Sequence, residues 1–176
     1  MTYSPILELV ESIRNGGFAI LADDQSRENE GDVILAAEFA SREALAFMIT
    51  RGRGLVCLAM TAERAKELHL EQMARTNTDP LGTAFTASID AVREHGVTTG
   101  ISASDRAITA RLAVDGVADD FSRPGHLFPV VSRPGGVLQR PGHTEAAVDL
   151  ARLAGLHPMA LIVEIIGDDG DMLRGE

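Results

Sequence analysis

The sequence predicts an α/β domain of the α+β type: one compact unit with a mixed β-sheet and helices packed around it. Three observations carry this. Short apolar runs of strand length alternate with segments of helical period. The 176 residues suit one domain. No shift in composition marks a linker, and no repeat or low-complexity tract interrupts the chain.

The first element is a helix. Ser4 and Pro5 read as an N-cap and a first helical position, Ile6, Leu9, Val10 and Ile13 share one face, and Gly16-Gly17 ends it. Phe18 to Ala22 is a short buried strand. The acidic segment DDQSRENEGD (Asp23 to Asp32) follows, and Val33 to Phe39 is a second strand. Ser41 caps a helix carrying Leu45, Met48 and Ile49. Leu55 to Met60 is a strand, and Thr61 opens a short helix that fades near His69. Residues 69 to 82 read as loop, and Ala84 to Asp90 alternates like a half-buried strand. Ser104 or Asp105 caps a helix running through Leu112. Residues 115 to 125 are loop, and His126 to Val131 is a strand. Thr144 caps a helix bearing Ala147, Val148, Leu150 and Leu153 or Ala154, with Gly155 after it. Met159 to Ile166 is an apolar strand with one charge inside it, Glu164.

Composition excludes several roles. The formal charge is −10, against nonspecific nucleic-acid binding, which needs Lys and Arg to neutralise phosphates. Trp is absent and aromatics are 4%, too few for base-stacking platforms. No apolar run approaches the roughly 20 residues of a membrane span. The N-terminal MTYSPILELVES lacks the pattern of a secretory signal. The single Cys57 forms no internal disulfide, fits a reducing cytoplasm and reads as a core thiol.

Three constellations carry chemistry. In an extended Arg27–Asp32 segment, Glu28, Glu30 and Asp32 would share a face with Asn29 and Gly31 opposite. Three carboxylates on one side call for a cation. A hard divalent ion such as Mg²⁺ takes oxygen ligands, and crowding raises one carboxyl pKa into the range of a general base. Arg27 adds a fork for an anion. The alternative is a solvated acidic turn. The second, Glu94 to Arg106, places hydroxyls and glycines before a helix start, suited to phosphate or simply a polar turn. The third is Arg140-Pro141-Gly142-His143-Thr144. A guanidinium and helix amides make an anion seat there, and His143 either binds metal, moves a proton or lies exposed in a turn. RPG also occurs at Arg123 and Arg133, where Arg133 reads equally as turn chemistry. Glu164 is either an outward edge residue or a buried charge needing a partner. His69, His95 and His157 read as structural.

Four segments together resemble a known family. RENEGD (Arg27 to Asp32), HGVTTGISASDR (His95 to Arg106), RPGHLFP (Arg123 to Pro129) and RPGHTEAAVDL (Arg140 to Leu150) look like the signatures of 3,4-dihydroxy-2-butanone 4-phosphate synthases. The resemblance spans nearly the whole chain. It implies conversion of D-ribulose 5-phosphate to formate and L-3,4-dihydroxy-2-butanone 4-phosphate in riboflavin biosynthesis, through a metal-stabilised enediolate, dehydration, a skeletal shift and loss of C4. It implies a pair of Mg²⁺ (or Mn²⁺) ions per site, and a cytoplasmic homodimer with active sites at the subunit interface. By the same resemblance Glu28 and His143 are metal ligands. The catalytic residues are Asp32, Glu30, His126 and Glu164, with Asp32 the first choice and Glu30 the second for removing the C3 proton. The substrate contacts are Arg27, Glu28, Asp32, Thr98, Arg140, Pro141, Gly142, His143, Thr144 and Glu164, Thr98 reaching the phosphate from a neighbouring subunit. Family chains usually continue further or run into a GTP cyclohydrolase II domain, so residues 1–176 are expected to be a synthase domain, excised or naturally short. The competing readings are another metal-dependent sugar-phosphate isomerase or aldolase, which releases no formate, and a non-catalytic divalent-cation module. The loop lacks EF-hand spacing.

Overall fold

The apolar runs pair into one mixed sheet. Its strands are β1 (Ala19–Ala22), β2 (Gly31–Ala36), β3 (Cys57–Met60), β4 (Ile89–Ala91), β5 (Phe121–Val131) and β6 (Met159–Glu164), in the order β1-β2-β6-β3-β5-β4. Only β3 and β5 run parallel; the other neighbouring pairs are antiparallel. Among the described residues five α-helices complete the domain: α1 (Ile6–Arg14), α2 (Arg42–Arg51), α3 (Ala62–Glu67), α4 (Ala103–Asp115) and α5 (His143–Leu153). This computed structural model describes residues 3–174. No helix among them is long and apolar enough to cross a membrane.

Strand parity divides the core into two layers. Val33, Leu35, Leu58, Met60, Leu161 and Val163 face α2 and α4, against Leu45, Met48, Ala107 and Ala110. Ile34, Ala36, Cys57, Ala59, Ala160 and Ile162 face α1 and α5, against Val10, Ile13, Ala147, Val148 and Leu150. Both sheet faces are covered, which is why β2 and β6 read as continuous apolar runs rather than alternating ones. Each fully buried Leu or Ile contributes roughly 1.5–3 kcal/mol of transfer energy. The parity also sets the site. Asp32 shares a face with Ile34, and Glu164 with Ile162, so both acids lie on the α1/α5 side. They are direct partners across the β2–β6 rung.

The expected caps at Ser41 and Thr61 are present, their hydroxyls accepting from Ala44 N at 3.1 Å and Arg64 N at 3.2 Å. Other boundaries differ. Pro5, not Ser4, is the N-cap of α1, without a side-chain bond. β2 begins at Gly31 and gives way to a 3-10 turn at Ala37–Phe39. Ser102 caps α4, accepting from Asp105 N, because Ser104 and Asp105 already lie in its first turn. Gly142 is the N-cap of α5, so Thr144 is inside the helix. The Ala84–Asp90 strand reduces to bridges at Phe85 and Thr86 plus β4. β5 starts at Phe121 and takes up half of the expected 115–125 loop, after a 3-10 turn at Ala118–Asp120.

Candidate active site

The acidic segment is a compact loop on the β1–β2 hairpin rather than an extended strand. Ala22 pairs with Gly31, and Asp23 N donates to Glu30 O at 3.2 Å. Between them Asn29 takes a left-handed φ of 55°, a conformation Asn tolerates. The Asp23 carboxylate holds the loop together. Its oxygens accept from Glu28 N at 3.0 Å, Glu30 N at 2.9 Å and Arg27 Nη1 at 2.7 Å. Burial pushes the Asp23 pKa up, but these donors outweigh it and hold the group below its ordinary value. Glu28, Glu30 and Asp32 all line one cavity of about 160 Å³, so the expected clustering holds although the extended geometry behind it does not. Arg27 ion-pairs Glu28 at 2.5 Å at its edge.

The opposite wall comes from the turn before α5. His143 is the first residue of that helix and is 8% exposed. Its Nδ1 stands 3.7 Å from both Glu28 Oε2 and Asp32 Oδ1, beyond hydrogen-bond length. Its Nε2 is buried with no hydrogen-bond partner, and so is Glu164 Oε2. Burial holds the imidazole pKa below its ordinary value, which keeps a lone pair free. Asp23, Glu28 and His143 bring one ligand atom each within 4.8 Å of one another. The Nδ1 edge of His143, 3.7 Å from two carboxylate oxygens, completes a donor set that fits a divalent cation.

Beside this cluster is an anion seat. A Cβ on Gly142 would lie 2.4 Å from Arg140 Nη1 and 3.0 Å from Arg27 Nη2. Glycine there lets two guanidinium heads converge on the α5 N-terminus, where helix amides favour negative charge. Arg140 is fixed by Glu145 Oε2 at 2.6 Å, Thr83 Oγ1 at 3.2 Å and Leu81 O at 3.1 Å. The other Glu145 oxygen accepts from Arg133 N at 2.8 Å, so the Arg133 turn supports Arg140 from behind. Thr144 lines the cavity, whereas Pro141 is exposed and does not.

The electrostatics are one-sided. Burial, then Glu164, Glu28, Glu30 and Asp23, push the Asp32 pKa up to about 8. Glu164 is also raised, by burial first and then by Glu28, against its backbone hydrogen bonds. Glu30 is raised by burial, although Arg174 opposes the shift from 3.2 Å. Like charges directly opposite across a rung destabilise a sheet. The Asp32–Glu164 pair is such a case, and a cation or a bound proton relieves it. Cys57 and Ile162 lie across the β3–β6 rung and line the same cavity, where burial pushes the thiol pKa up.

Two sequence-predicted residues are elsewhere. Thr98 Oγ1 donates to Asp105 Oδ2 at 2.8 Å, and His126 Nδ1 contacts Asp90 Oδ2 at 2.7 Å; neither lines the cavity of its own chain. They share a separate patch, since Gly100 packs against Asp90. Sequence reasoning missed Asp23, Thr83, Asp90 and Glu145. These residues act through partners that spacing does not reveal; the only signal was Asp23 standing directly after an apolar strand.

Comparison with known proteins supplies the context. The family model described as 3,4-dihydroxy-2-butanone 4-phosphate synthase matches residues 7–176. The riboflavin biosynthesis protein RibBA of Aquifex aeolicus is 56% identical over 98% of this chain and 43% of its own length. A 3,4-dihydroxy-2-butanone 4-phosphate synthase of Pseudomonas aeruginosa is 52% identical over 99% of this chain and 48% of its own. The chain thus spans less than half the length of these curated relatives. Among solved structures, a 3,4-dihydroxy-2-butanone 4-phosphate synthase in complex with two magnesium ions superposes with a TM-score of 0.95 at 45% identity, covering 99% of this chain and 86% of the other. A two-domain synthase, RibBX of A. baumannii, gives 0.92 at 48% identity, covering 97% and 50%.

Proposed function

We propose a reaction on one premise: the chain belongs to the 3,4-dihydroxy-2-butanone 4-phosphate synthase family. Residues 1–176 form one synthase domain that converts D-ribulose 5-phosphate to formate and L-3,4-dihydroxy-2-butanone 4-phosphate, a step toward riboflavin. The observation that carries this reading is the Asp32–Glu164 pair set across one sheet rung beside His143, whose Nε2 is buried and unpartnered.

Each residue has a role that its surroundings support. Glu28 and His143 hold Mg²⁺, with Mn²⁺ able to serve and two ions per site; a solved relative is in complex with two magnesium ions. When bound, the metal supplies Lewis-acid charge to the substrate's carbonyl and hydroxyl oxygens. Arg140, Arg27 and the amides opening α5, with Thr144 beside them, take the phosphate and so fix the reacting carbons, a positioning effect. Asp32, pushed up to about 8, is poised near neutral pH to take the C3 proton, with Glu30 the second choice. Glu164 handles a later proton transfer from the same cavity, its unpartnered Oε2 being free to accept.

His126 and Thr98 reach a site only if a second copy brings them. A homodimer with interface active sites accounts for their shared patch away from the cavity, where Ile101 is also 52% exposed. A reducing cytoplasm suits the single buried Cys57.

The test is to incubate the protein with D-ribulose 5-phosphate and Mg²⁺. The expected result is formate and a four-carbon ketose phosphate in equal amounts. A rearranged or cleaved sugar phosphate without formate would instead indicate an isomerase or aldolase. Cation binding with no turnover would indicate a binding module.

A further inference from the structure

Outside the cavity, the described residues contain three further acid–imidazole pairs, His95–Asp120, His157–Glu38 and His126–Asp90, and the last is the shortest and has the most enclosed acid. His126 lies on β5, and Asp90 on the neighbouring β4, where the pairing register shifts between Ile89 and Asp90. That irregularity sets one Asp90 carboxylate against two donors of a single residue. Oδ1 accepts from the His126 backbone amide at 2.8 Å, and Oδ2 meets the ring Nδ1 at 2.7 Å. The carboxylate is enclosed from the other side by Gly100. This glycine has φ +94°, and a Cβ on it would fall 2.1 Å from Asp90 Oδ2. Arg106 lies close enough to act on Asp90 electrostatically, and its own Nε is buried without a partner. The Asp90 side chain is 13% exposed and the His126 side chain 45% exposed, so the acid is enclosed while the ring is presented outward.

We infer that Asp90 is a positioning residue that fixes His126 as its Nδ1–H tautomer and presents Nε2 outward as a proton acceptor. The chemistry is direct. A carboxylate only accepts hydrogen bonds, so the proton between Oδ2 and the ring belongs to Nδ1. The neutral ring then has its lone pair on Nε2, on the side away from Asp90. The bond to the His126 amide anchors the carboxylate to the same residue whose ring it orients, so ring and acid move together. Asp90 itself stays behind His126 and acts through it. This deepens the reading above and rests on it for the statement that His126 serves the synthase reaction. The tautomer assignment rests on geometry alone.

The experiment separates the two. Protein labelled with ¹⁵N-histidine, in the full chain with Mg²⁺, is examined by long-range ¹H–¹⁵N NMR, with His126→Gln used to assign its signal. The expected result is an Nδ1–H ring for His126 in the native protein. In Asp90→Asn, whose amide NH₂ can donate to Nδ1, the expected result is a shift toward Nε2–H. Formate release should then fall about 10²–10⁴-fold in kcat, with KM for D-ribulose 5-phosphate changed less than about threefold. Asp90→Asn should lower kcat no further in a His126→Gln background. An Nε2–H ring in the native protein overturns the assignment even if Asp90→Asn does not fold. So does a tautomer that is unchanged in Asp90→Asn, or an equal loss of kcat with and without His126. Failure of the native protein to release formate contradicts the proposed reaction instead, and leaves the NMR result standing.

Discussion

Asp32 and Asp105 are two acids buried alike whose pKa values are shifted in opposite directions. Asp32 is 4% exposed and Asp105 2%. Asp105 stands in the first turn of α4. Its carboxylate accepts from Thr98 N at 3.1 Å, Thr98 Oγ1 at 2.8 Å and Gly100 N at 3.0 Å. Burial pushes its pKa up, but these bonds outweigh burial and hold it below the ordinary range. Asp32 instead faces Glu164 across a rung, and its pKa rises to about 8. Burial is therefore not the informative quantity. A buried acid served by backbone amides is structural. A buried acid set against other acids marks a place where a cation or a proton is used.

The largest expected effect breaks the second half of that contrast. His143→Ala or Glu28→Ala should lower formate release roughly 10³-fold or more, since metal-derived charge stabilisation is worth several kcal/mol. Circular dichroism should show an unchanged fold, and excess EDTA should reproduce the loss in the native protein. Next, Asp32→Asn should cost about 10²–10⁴-fold in kcat as a lost general base.

The same substitution has a stability consequence with a definite sign. The folded pKa of Asp32 lies above its ordinary 3.8, so its contribution to stability is full below that value and is lost as pH rises through about 8. Metal-free Asp32→Asn should therefore melt higher than the native protein at pH 9, and the gap should close by pH 4. Thermal melts in EDTA across that range measure it, with a ceiling of about 6 kcal/mol from the size of the shift.

Asp105 has the opposite sign. Asp105→Asn should destabilise the fold by about 1–3 kcal/mol at pH 7, the cost of misfitting a buried hydrogen-bonded acid. Its folded pKa is lowered, so the native advantage is present above 3.8 and shrinks as pH falls through the folded value. Urea titrations at pH 7 and pH 3 check this. The smallest effect is expected for Arg140→Lys. It keeps the charge but loses the fork to Glu145 and Thr83, and should raise KM for D-ribulose 5-phosphate roughly tenfold with kcat changed less.

The fold was legible where local signals act alone. Apolar runs gave the inner strands, and Ser41 and Thr61 announced their helices by hydroxyls ahead of a periodic segment. The helix start at His143 was misplaced by two residues because a Pro-Gly turn supplies the cap that a Thr was expected to supply. The Ala84–Asp90 strand failed because alternation also fits a segment held by isolated bridges. The acids and the imidazole of the cavity were readable as motif letters. What was not readable is the scaffolding behind them. Asp23 bonds amides five and seven residues ahead, Glu145 fixes Arg140 and the Arg133 turn, and Asp90 holds His126 from 36 residues away. Such partners are set by the packing of strands and helices, and nothing in a linear spacing encodes them.

The proposed site requires that the crowded acids around Asp32 and the His143 imidazole hold a divalent cation together. Pulsed EPR on protein loaded with Mn²⁺ addresses it directly. The expected result is a ¹⁴N coupling from one imidazole bound to the ion, absent in His143→Ala. Stoichiometric Mn²⁺ in the cavity with no nitrogen coupling, or a coupling that survives in His143→Ala, would contradict it.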